Sequence, residues 1–136
     1  MFTIDNSWLP NVELAIEWYD RVIAEFPKSE AAEMAFQRKL FSLLGWKGIG
    51  MYASSYGLKA DFNKYMPLLL STFADFEKQF PKSAYLQGFR YQIAQAYWIH
   101  RDWANTRSWL TRVVQNGDAK SFYVQTAKAR LAKVEH

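Results

Sequence analysis

Residues able to do acid–base or metal chemistry are few in this chain of 136 residues. There is no cysteine, which excludes thiolate nucleophiles, zinc–thiolate sites and disulfides together. The two histidines are His100 and His136, so no histidine pair or carboxylate–histidine cluster indicates a metal site. His100 stands beside Arg101 at the end of a predicted helix, where the helix dipole stabilises a cation, and we interpret it as a cap.

Two pairs of carboxylates are spaced so that each lies on one helix face: Glu13 with Glu17, and Glu30 with Glu33. Such pairs are typical of solvated surfaces, and no buried partner is visible that would tune their pKa values for catalysis. The Gly-Ile-Gly segment at 48–50 lacks the Gly-Lys-Ser/Thr ending of a phosphate-binding loop. We therefore predict that the protein is not an enzyme and holds no cofactor or metal.

Residues suited to binding are concentrated in the segment 45–60, which holds four of the six glycines together with Trp46, Tyr52 and Tyr56. Glycine permits close backbone approach, and exposed aromatic side chains supply contact area at low entropic cost. We predict that this Gly/aromatic insertion contributes to partner binding. The alternative is a long connection whose aromatic side chains pack against the flanking helices.

A second candidate binding surface lies on the fourth predicted helix, where Tyr91, Gln95 and Trp98 share a stripe distinct from the expected core residues. In the alternative interpretation, a neighbouring helix or a second copy of the chain covers this stripe. Trp103 is predicted to be a core residue, whereas Trp18 and Trp109, like Trp98, lie off or beside the apolar stripes. Because exposed tryptophan is enriched at interfaces, at least one of these three is expected to contact a partner or a second subunit.

The net charge of +4 is unevenly distributed. Residues 1–33 contain seven acidic and two basic residues, giving −5, and the remaining residues contain six acidic and fifteen basic ones, giving +9. This asymmetry favours an acidic partner or head-to-tail association. The basic residues of the C-terminal half occur at ordinary helical-surface intervals without a reading motif, so nucleic-acid binding ranks third and is the least favoured.

Apolar periodicity predicts the helices that would position these residues: an all-α chain of about six helices joined by short turns. We predict that residues 1–136 form a single domain. The first helix is predicted over residues 10–26. The second begins at the cap Ser29 and ends at Gly45. In the third, Pro67 either kinks a helix capped at Asp61 or begins the regular helix itself.

The last three helices are separated by Asp102, which opens the fifth, and by the turn at 116–118. The fourth helix is predicted to begin after Ser83. The sixth is predicted to direct four side chains inward: Tyr123, Ala127, Leu131 and Val134.

The sequence Phe-Pro-Lys-Ser occurs twice, at 26–29 and 80–83, each time between two predicted helices. Together with the flanking positions, these turns resemble the tetratricopeptide repeat (TPR), and in particular its envelope type, found in the lipoprotein of outer-membrane β-barrel assembly and the Tol–Pal-associated TPR protein. The matching positions of the second-helix pattern are Ala15, Tyr19, Val22 and Pro27, then Leu69, Phe73, Phe76 and Pro81. Residues 93–97 resemble the first-helix segment, and Asp102-Trp103 resembles the start of a second helix.

The resemblance implies a short right-handed α-solenoid of antiparallel helix hairpins whose first helices line a concave groove, so that Tyr91, Gln95 and Trp98 would belong to a peptide-binding surface. The chain departs from the family pattern in three places. The two turns are 54 residues apart, against about 34 in a TPR. Lys39 stands where the first-helix leucine is expected, and Asp118 stands where the third proline is expected.

The expected function is a non-enzymatic scaffold that binds a protein or peptide, with acidic ligands favoured, in a larger complex such as one of the bacterial envelope. The alternative is a self-associating structural subunit. The longest stretch without a charged residue, 48–58, is too short to span a bilayer, which needs roughly twenty apolar residues. The N-terminus has no signal-peptide features, which predicts a cytoplasmic protein as the chain stands, or a periplasmic one if a leader was removed.

Overall fold

The structure, a computed structural model, describes residues 12–45, 57–59 and 61–134. Within these ranges the chain forms six α-helices and one short 3-10 helix, Gly57–Lys59, with no β-strand. The predicted all-α class is confirmed. The α-helices are α1 (Val12–Glu25), α2 (Glu30–Leu44), α3 (Phe62–Gln79), α4 (Leu86–Ile99), α5 (Trp103–Gln115) and α6 (Phe122–Val134). No helix in the described ranges is both long and apolar enough to cross a membrane.

Contacts between the helices divide the chain into two compact units, residues 1–81 and residues 82–136. In the first unit α2 packs against both α1 and α3. In the second unit α5 packs against both α4 and α6, and α4 also contacts α6. In each unit the central helix therefore packs against the helices that precede and follow it in sequence.

The first Phe-Pro-Lys-Ser sequence forms the turn between α1 and α2. Lys28 has a φ of 59°, in the left-handed region that non-glycine residues seldom occupy. Ser29 then caps α2, because its Oγ accepts the backbone N–H of Ala32 at 3.0 Å. The helix ends at Gly45, whose φ of 94° provides the left-handed C-cap. Both predicted ends of α2 are confirmed.

The second copy of the same four residues forms a different structure. Phe80 packs edge-on against Phe36, with 6.1 Å between the ring centroids, and so belongs to the first unit. Ser83 does not cap α4: its Oγ accepts the N–H of Tyr85, and the helix begins only at Leu86. The boundary between the two units falls inside this copy, after residue 81.

The start of α3 distinguishes the two alternatives for Pro67. Asp61 caps the helix by accepting the N–H of Lys64 at 3.1 Å, and Pro67 lies inside α3. Proline has no N–H to donate to the carbonyl of Asn63, which removes one bond of the helix ladder. The helix therefore starts at the Asp61 cap and continues through the proline, held by buried residues on both sides of it: Tyr65, Met66 and Leu69.

The packing of α1 on α2 includes the position at which the sequence departs from the TPR pattern. Lys39 is buried, and its Nζ forms an ion pair with Asp20 of α1 at 2.6 Å. The side chain of Asp20 is 52% exposed and remains in contact with water. The same two helices contribute Ala15, Tyr19 and Ala35 to a buried apolar cluster. A lysine thus replaces the expected leucine because a carboxylate on the facing helix neutralises its charge.

The 3-10 helix attaches the end of the 45–60 segment to α2. Gly57 has a φ of 53°, and a β-carbon placed on it would lie 2.5 Å from the carbonyl oxygen of Leu43 and closer still to that of Ser42. Only glycine satisfies both the backbone conformation and this approach to the last turn of α2. The N–H of Asp61, the cap of α3, donates to the carbonyl of Gly57 at 3.0 Å.

The connection between α4 and α5 is as short as a helix hairpin permits. Arg101, with a φ of 59°, donates its N–H to the carbonyl of Trp98, and Asp102 donates its N–H to that of Tyr97. This is the Schellman pattern with arginine in the position that glycine usually occupies. Asp102 also caps α5 by accepting the N–H of Asn105 at 3.2 Å, as the sequence predicted.

The inward face of α6 differs from the prediction. Ala127 is buried as expected, and Val124 rather than Tyr123 fills the core beside α5. The prediction for Tyr123 is wrong because its ring packs on the outer surface of α4, which leaves 37% of the residue exposed. Leu131 and Val134 are half-buried.

Candidate binding surface on the second unit

The predicted stripe on α4 faces α6 along its whole length. The ring centroid of Tyr91 lies 6.0 Å from that of Tyr123. The Oε1 of Gln95 accepts a hydrogen bond from Nη1 of Arg130 at 2.8 Å, and the Arg130 guanidinium lies 4.8 Å from the ring centroid of Trp98. Because residue numbers rise together along both helices, α4 and α6 run parallel, and a neighbouring helix covers much of the stripe.

The three candidate residues on this stripe differ in accessibility. Tyr91 is buried, with 8% of its surface exposed, so it offers a partner little direct contact area. Gln95 and Trp98 are half-buried. The structure thus brings the three together in one row, and it leaves the end at Trp98 the more open to solvent.

Close approach of α4 and α6 depends on Gly88. A β-carbon at Gly88 would lie 3.1 Å from the hydroxyl oxygen of Tyr123, tighter than most contacts of real side chains. The absent side chain lets the Tyr123 ring lie on α4, one turn before Tyr91.

Three aromatic residues form a row that we call the aromatic ladder: Tyr91, Tyr123 and Phe122. Tyr91 and Tyr123 are 6.0 Å apart between centroids, and Tyr123 and Phe122 are 5.8 Å apart in an edge-to-face arrangement. Exposure rises along the ladder, from 8% at Tyr91 through 37% at Tyr123 to 74% at Phe122. Each ring is supported by the one beneath it, so the outermost ring is held in place before any partner arrives.

The electrostatic potential of the second unit is positive. Residues 82–136 contain nine lysines and arginines against three acidic residues, a net charge of +6. Both acidic residues in the described part are engaged in local hydrogen bonds. Asp102 accepts hydrogen bonds from the side-chain and backbone nitrogens of Asn105, which hold the pKa of its carboxyl below the usual value. Asp118 accepts the N–H of Lys120 at 2.8 Å.

The described tryptophans match the prediction to different degrees. Trp103, predicted to lie in the core, is 43% exposed, so that prediction is wrong. It is the first residue of α5, where its ring turns towards Trp98 at 5.5 Å, and the core beside it is filled by residues further along the helix. Trp109 is buried under the guanidinium of Arg112, which lies 3.8 Å from its ring centroid, and Trp18 is half-buried against the core of the first unit.

One of the carboxylate pairs in the first unit has a structural partner. Glu13 accepts a hydrogen bond from the Tyr65 hydroxyl and forms an ion pair with Lys64 at 3.3 Å. The bond from Tyr65 holds the pKa of Glu13 below its ordinary value, and burial raises the pKa of Tyr65. The arrangement ties α1 to α3. In the part of the chain that the structure describes, no group of histidine, aspartate and glutamate residues could hold a metal ion.

The aromatic candidates of the insertion, Trp46, Tyr52 and Tyr56, lie outside the described residues. The predicted role of these three residues in binding therefore stays a prediction.

The class that the helices define is an all-α protein of sequential helix hairpins. Comparison of the chain with protein-family models, with curated proteins and with solved structures finds no match in any of the three.

Sequence reasoning missed the α6 half of this surface. A signal was present: Tyr91 and Trp98 are seven residues apart, and so are Tyr123 and Arg130. Equal spacings of two helical turns are what two parallel helices need to form matching contacts. Phe122 carried no such signal, because its exposure depends on where α6 begins.

Proposed function

We propose that the chain is a non-enzymatic, TPR-like scaffold that binds a protein or peptide within a larger complex. The observation that supports this proposal is the aromatic ladder, which presents Phe122 to solvent on a rigid base. Binding energy at protein interfaces is concentrated in a few aromatic anchors that are ordered before binding. A phenylalanine exposed to 74% at the end of such a row has this character.

The charge of the second unit supports an acidic partner. A net charge of +6 favours association with an acidic segment, because complementary potentials raise the association rate and disfavour basic competitors. Arg130 contributes a guanidinium already oriented by Gln95 and Trp98. The resemblance to envelope TPR proteins supports a place in a bacterial envelope complex.

Site-specific photo-cross-linking in the native cell tests this function. A benzophenone amino acid at position 122 should form discrete adducts with another protein, and the same probe at the exposed Ser108 of α5 should not. Substituting Tyr123 by alanine removes the middle of the ladder and should abolish the adducts at position 122. Circular dichroism of the purified variant checks that the helices are retained.

Three outcomes would contradict the proposal. The adducts could contain only this chain, and light scattering could show a dimer that Phe122→Ser disrupts. These results would indicate a self-associating subunit, a function that the exposed Phe122 also allows. Adducts that are equal at positions 122 and 108 would show that the ladder is not an interface. Salt-sensitive gel shifts with nucleic acid that depend on Phe122 would assign the surface to a different class of partner.

A further inference from the structure

We propose that the turn between α4 and α5 is a docking site for an anionic lipid surface. The site, which we call the α4–α5 tip, consists of Ile99, Arg101 and Trp103. It lies at the opposite end of the second unit from Phe122, because α4 and α6 run parallel and Phe122 begins α6. The inference is therefore independent of the protein-binding role proposed for the aromatic ladder.

Apolar side chains protrude at the tip. Ile99, the last residue of α4, is 74% exposed, and Trp103, the first residue of α5, is 43% exposed. The Trp103 ring is fixed by its edge-on contact with Trp98 at 5.5 Å. Tryptophan prefers the boundary between lipid and water because its ring is largely apolar and carries one N–H donor.

The three backbone N–H groups of the turn at the tip are already paired, which lowers the cost of contact with lipid. The N–H groups of His100, Arg101 and Asp102 donate to carbonyls in the last turn of α4, at 3.3, 3.0 and 3.0 Å. Unpaired backbone groups are costly in an apolar medium, and an irregular loop would expose several of them. This tight turn closes one helix and caps the next, so its apolar side chains can insert while these three N–H groups remain paired.

The charges around the tip are complementary to anionic lipid. Arg101 lies in the turn, and Arg107 lies one helical turn along α5 from Trp103. The acidic residue of the turn, Asp102, is engaged as the cap of α5. Anionic membrane surfaces attract clustered lysine and arginine residues, whose aliphatic stems can follow the apolar boundary.

The size of the tip favours lipid over a protein as its occupant. A stable protein–protein interface buries about 800 Å² on each partner, far more than one helix turn with two protruding apolar side chains offers. Reversible membrane binding requires less, because it combines limited insertion of apolar side chains with electrostatic attraction. The tip supplies both of these components.

Flotation with lipid vesicles tests the proposal on the full chain. The protein should float with vesicles of phosphatidylcholine containing phosphatidylglycerol and not with phosphatidylcholine alone, and added salt should weaken binding. Ile99→Ser should lower vesicle affinity about tenfold, the effect expected for losing one inserted aliphatic side chain. Phe122→Ser is the matched control, because Phe122 has the same 74% exposure at the opposite end, and its vesicle affinity should stay within twofold of wild type.

Several results would overturn the inference. These are no binding to anionic vesicles, equal loss of affinity in Ile99→Ser and Phe122→Ser, or no loss in Ile99→Ser although circular dichroism shows a folded protein. If the protein binds soluble polyglutamate through Ile99 and does not bind vesicles, the tip would be assigned to an acidic protein. A dimer that Ile99→Ser disrupts would assign the tip to a second copy of the chain.

Discussion

Gly57→Ala tests the packing of the first unit with the smallest possible change. The substitution adds one methyl group to a residue with a φ of 53°, a conformation that costs other residues about 1–2 kcal/mol. The added carbon would lie 2.5 Å from the carbonyl oxygen of Leu43 and 2.9 Å from the nitrogen of Gly45. These are backbone atoms in the last turn and C-cap of α2, which cannot rotate away as a side chain would. Overpacking of this kind costs about 1–3 kcal/mol.

Together the two effects give a loss of about 3 kcal/mol in the free energy of unfolding. Urea unfolding followed by circular dichroism measures it. With a denaturant dependence of about 2 kcal/mol per molar urea, the midpoint should fall by about 1.5 M. A midpoint within about 0.3 M of wild type would refute the reasoning, since it corresponds to a loss below about 0.6 kcal/mol.

Gly88→Ala is the matched control for the same chemical change. Gly88 lies within α4, and its nearest neighbour would be the hydroxyl oxygen of Tyr123 at 3.1 Å, the far end of a side chain. Alanine favours helix by about 0.5–1 kcal/mol over glycine, which offsets the cost of displacing that ring. The unfolding midpoint should therefore change little. Equal shifts for the two variants would show that backbone conformation and rigid neighbours do not explain the effect at Gly57.

Five further substitutions have expected outcomes that unfolding experiments can check. Lys28→Gly and Arg101→Gly should each stabilise the protein by about 1 kcal/mol, because glycine adopts the left-handed conformation without strain; a lower melting temperature in either would contradict this. Glu13→Gln should destabilise the protein at neutral pH. The pKa of Glu13 is lowered in the folded state, so its carboxylate stabilises the folded protein above the ordinary pKa of 4.5. This stabilisation is lost as the pH falls through the pKa of the folded state. The difference in stability between Glu13→Gln and wild type should therefore disappear in acid. Asp20→Ala should lower the free energy of unfolding by about 3 kcal/mol, because it leaves the buried ammonium of Lys39 without its counter-charge. Lys39→Met should lower it by less than about 1 kcal/mol, because the half-exposed Asp20 remains in contact with water. Equal losses for the two variants would argue against an effect of burial.

Helix ends were predictable wherever a single side chain defines them. Ser29, Gly45, Asp61 and Asp102 each carry a local signal, and the structure uses all four as caps. Such signals depend only on the residue and its immediate neighbours, so they can be recognised without knowing the tertiary contacts. The all-α class followed from periodicity for the same reason.

Side-chain exposure was less predictable because it depends on which helices meet. Trp103 matches a core position in the pattern, yet the position falls on the first turn of α5, where the ring is free to turn towards Trp98. Lys39 interrupts an apolar stripe, and its burial is explained by the ion pair with Asp20 on the facing helix, which the sequence does not reveal. The α4–α6 surface required the parallel arrangement of two helices that are not adjacent in sequence, which periodicity within one helix cannot reveal.

The division of the chain inside the second Phe-Pro-Lys-Ser sequence has a consequence for synthesis. The ribosome releases residues 1–81 before residues 82–136, and within each of these units the helices pack on one another. Contacts between helices that are near in sequence form rapidly, so the first unit can fold while the second is still being translated. Amide hydrogen exchange on the intact chain should accordingly give two levels of protection, with the change between them at Pro81. Identical levels on both sides would mean that the two halves open as one cooperative body.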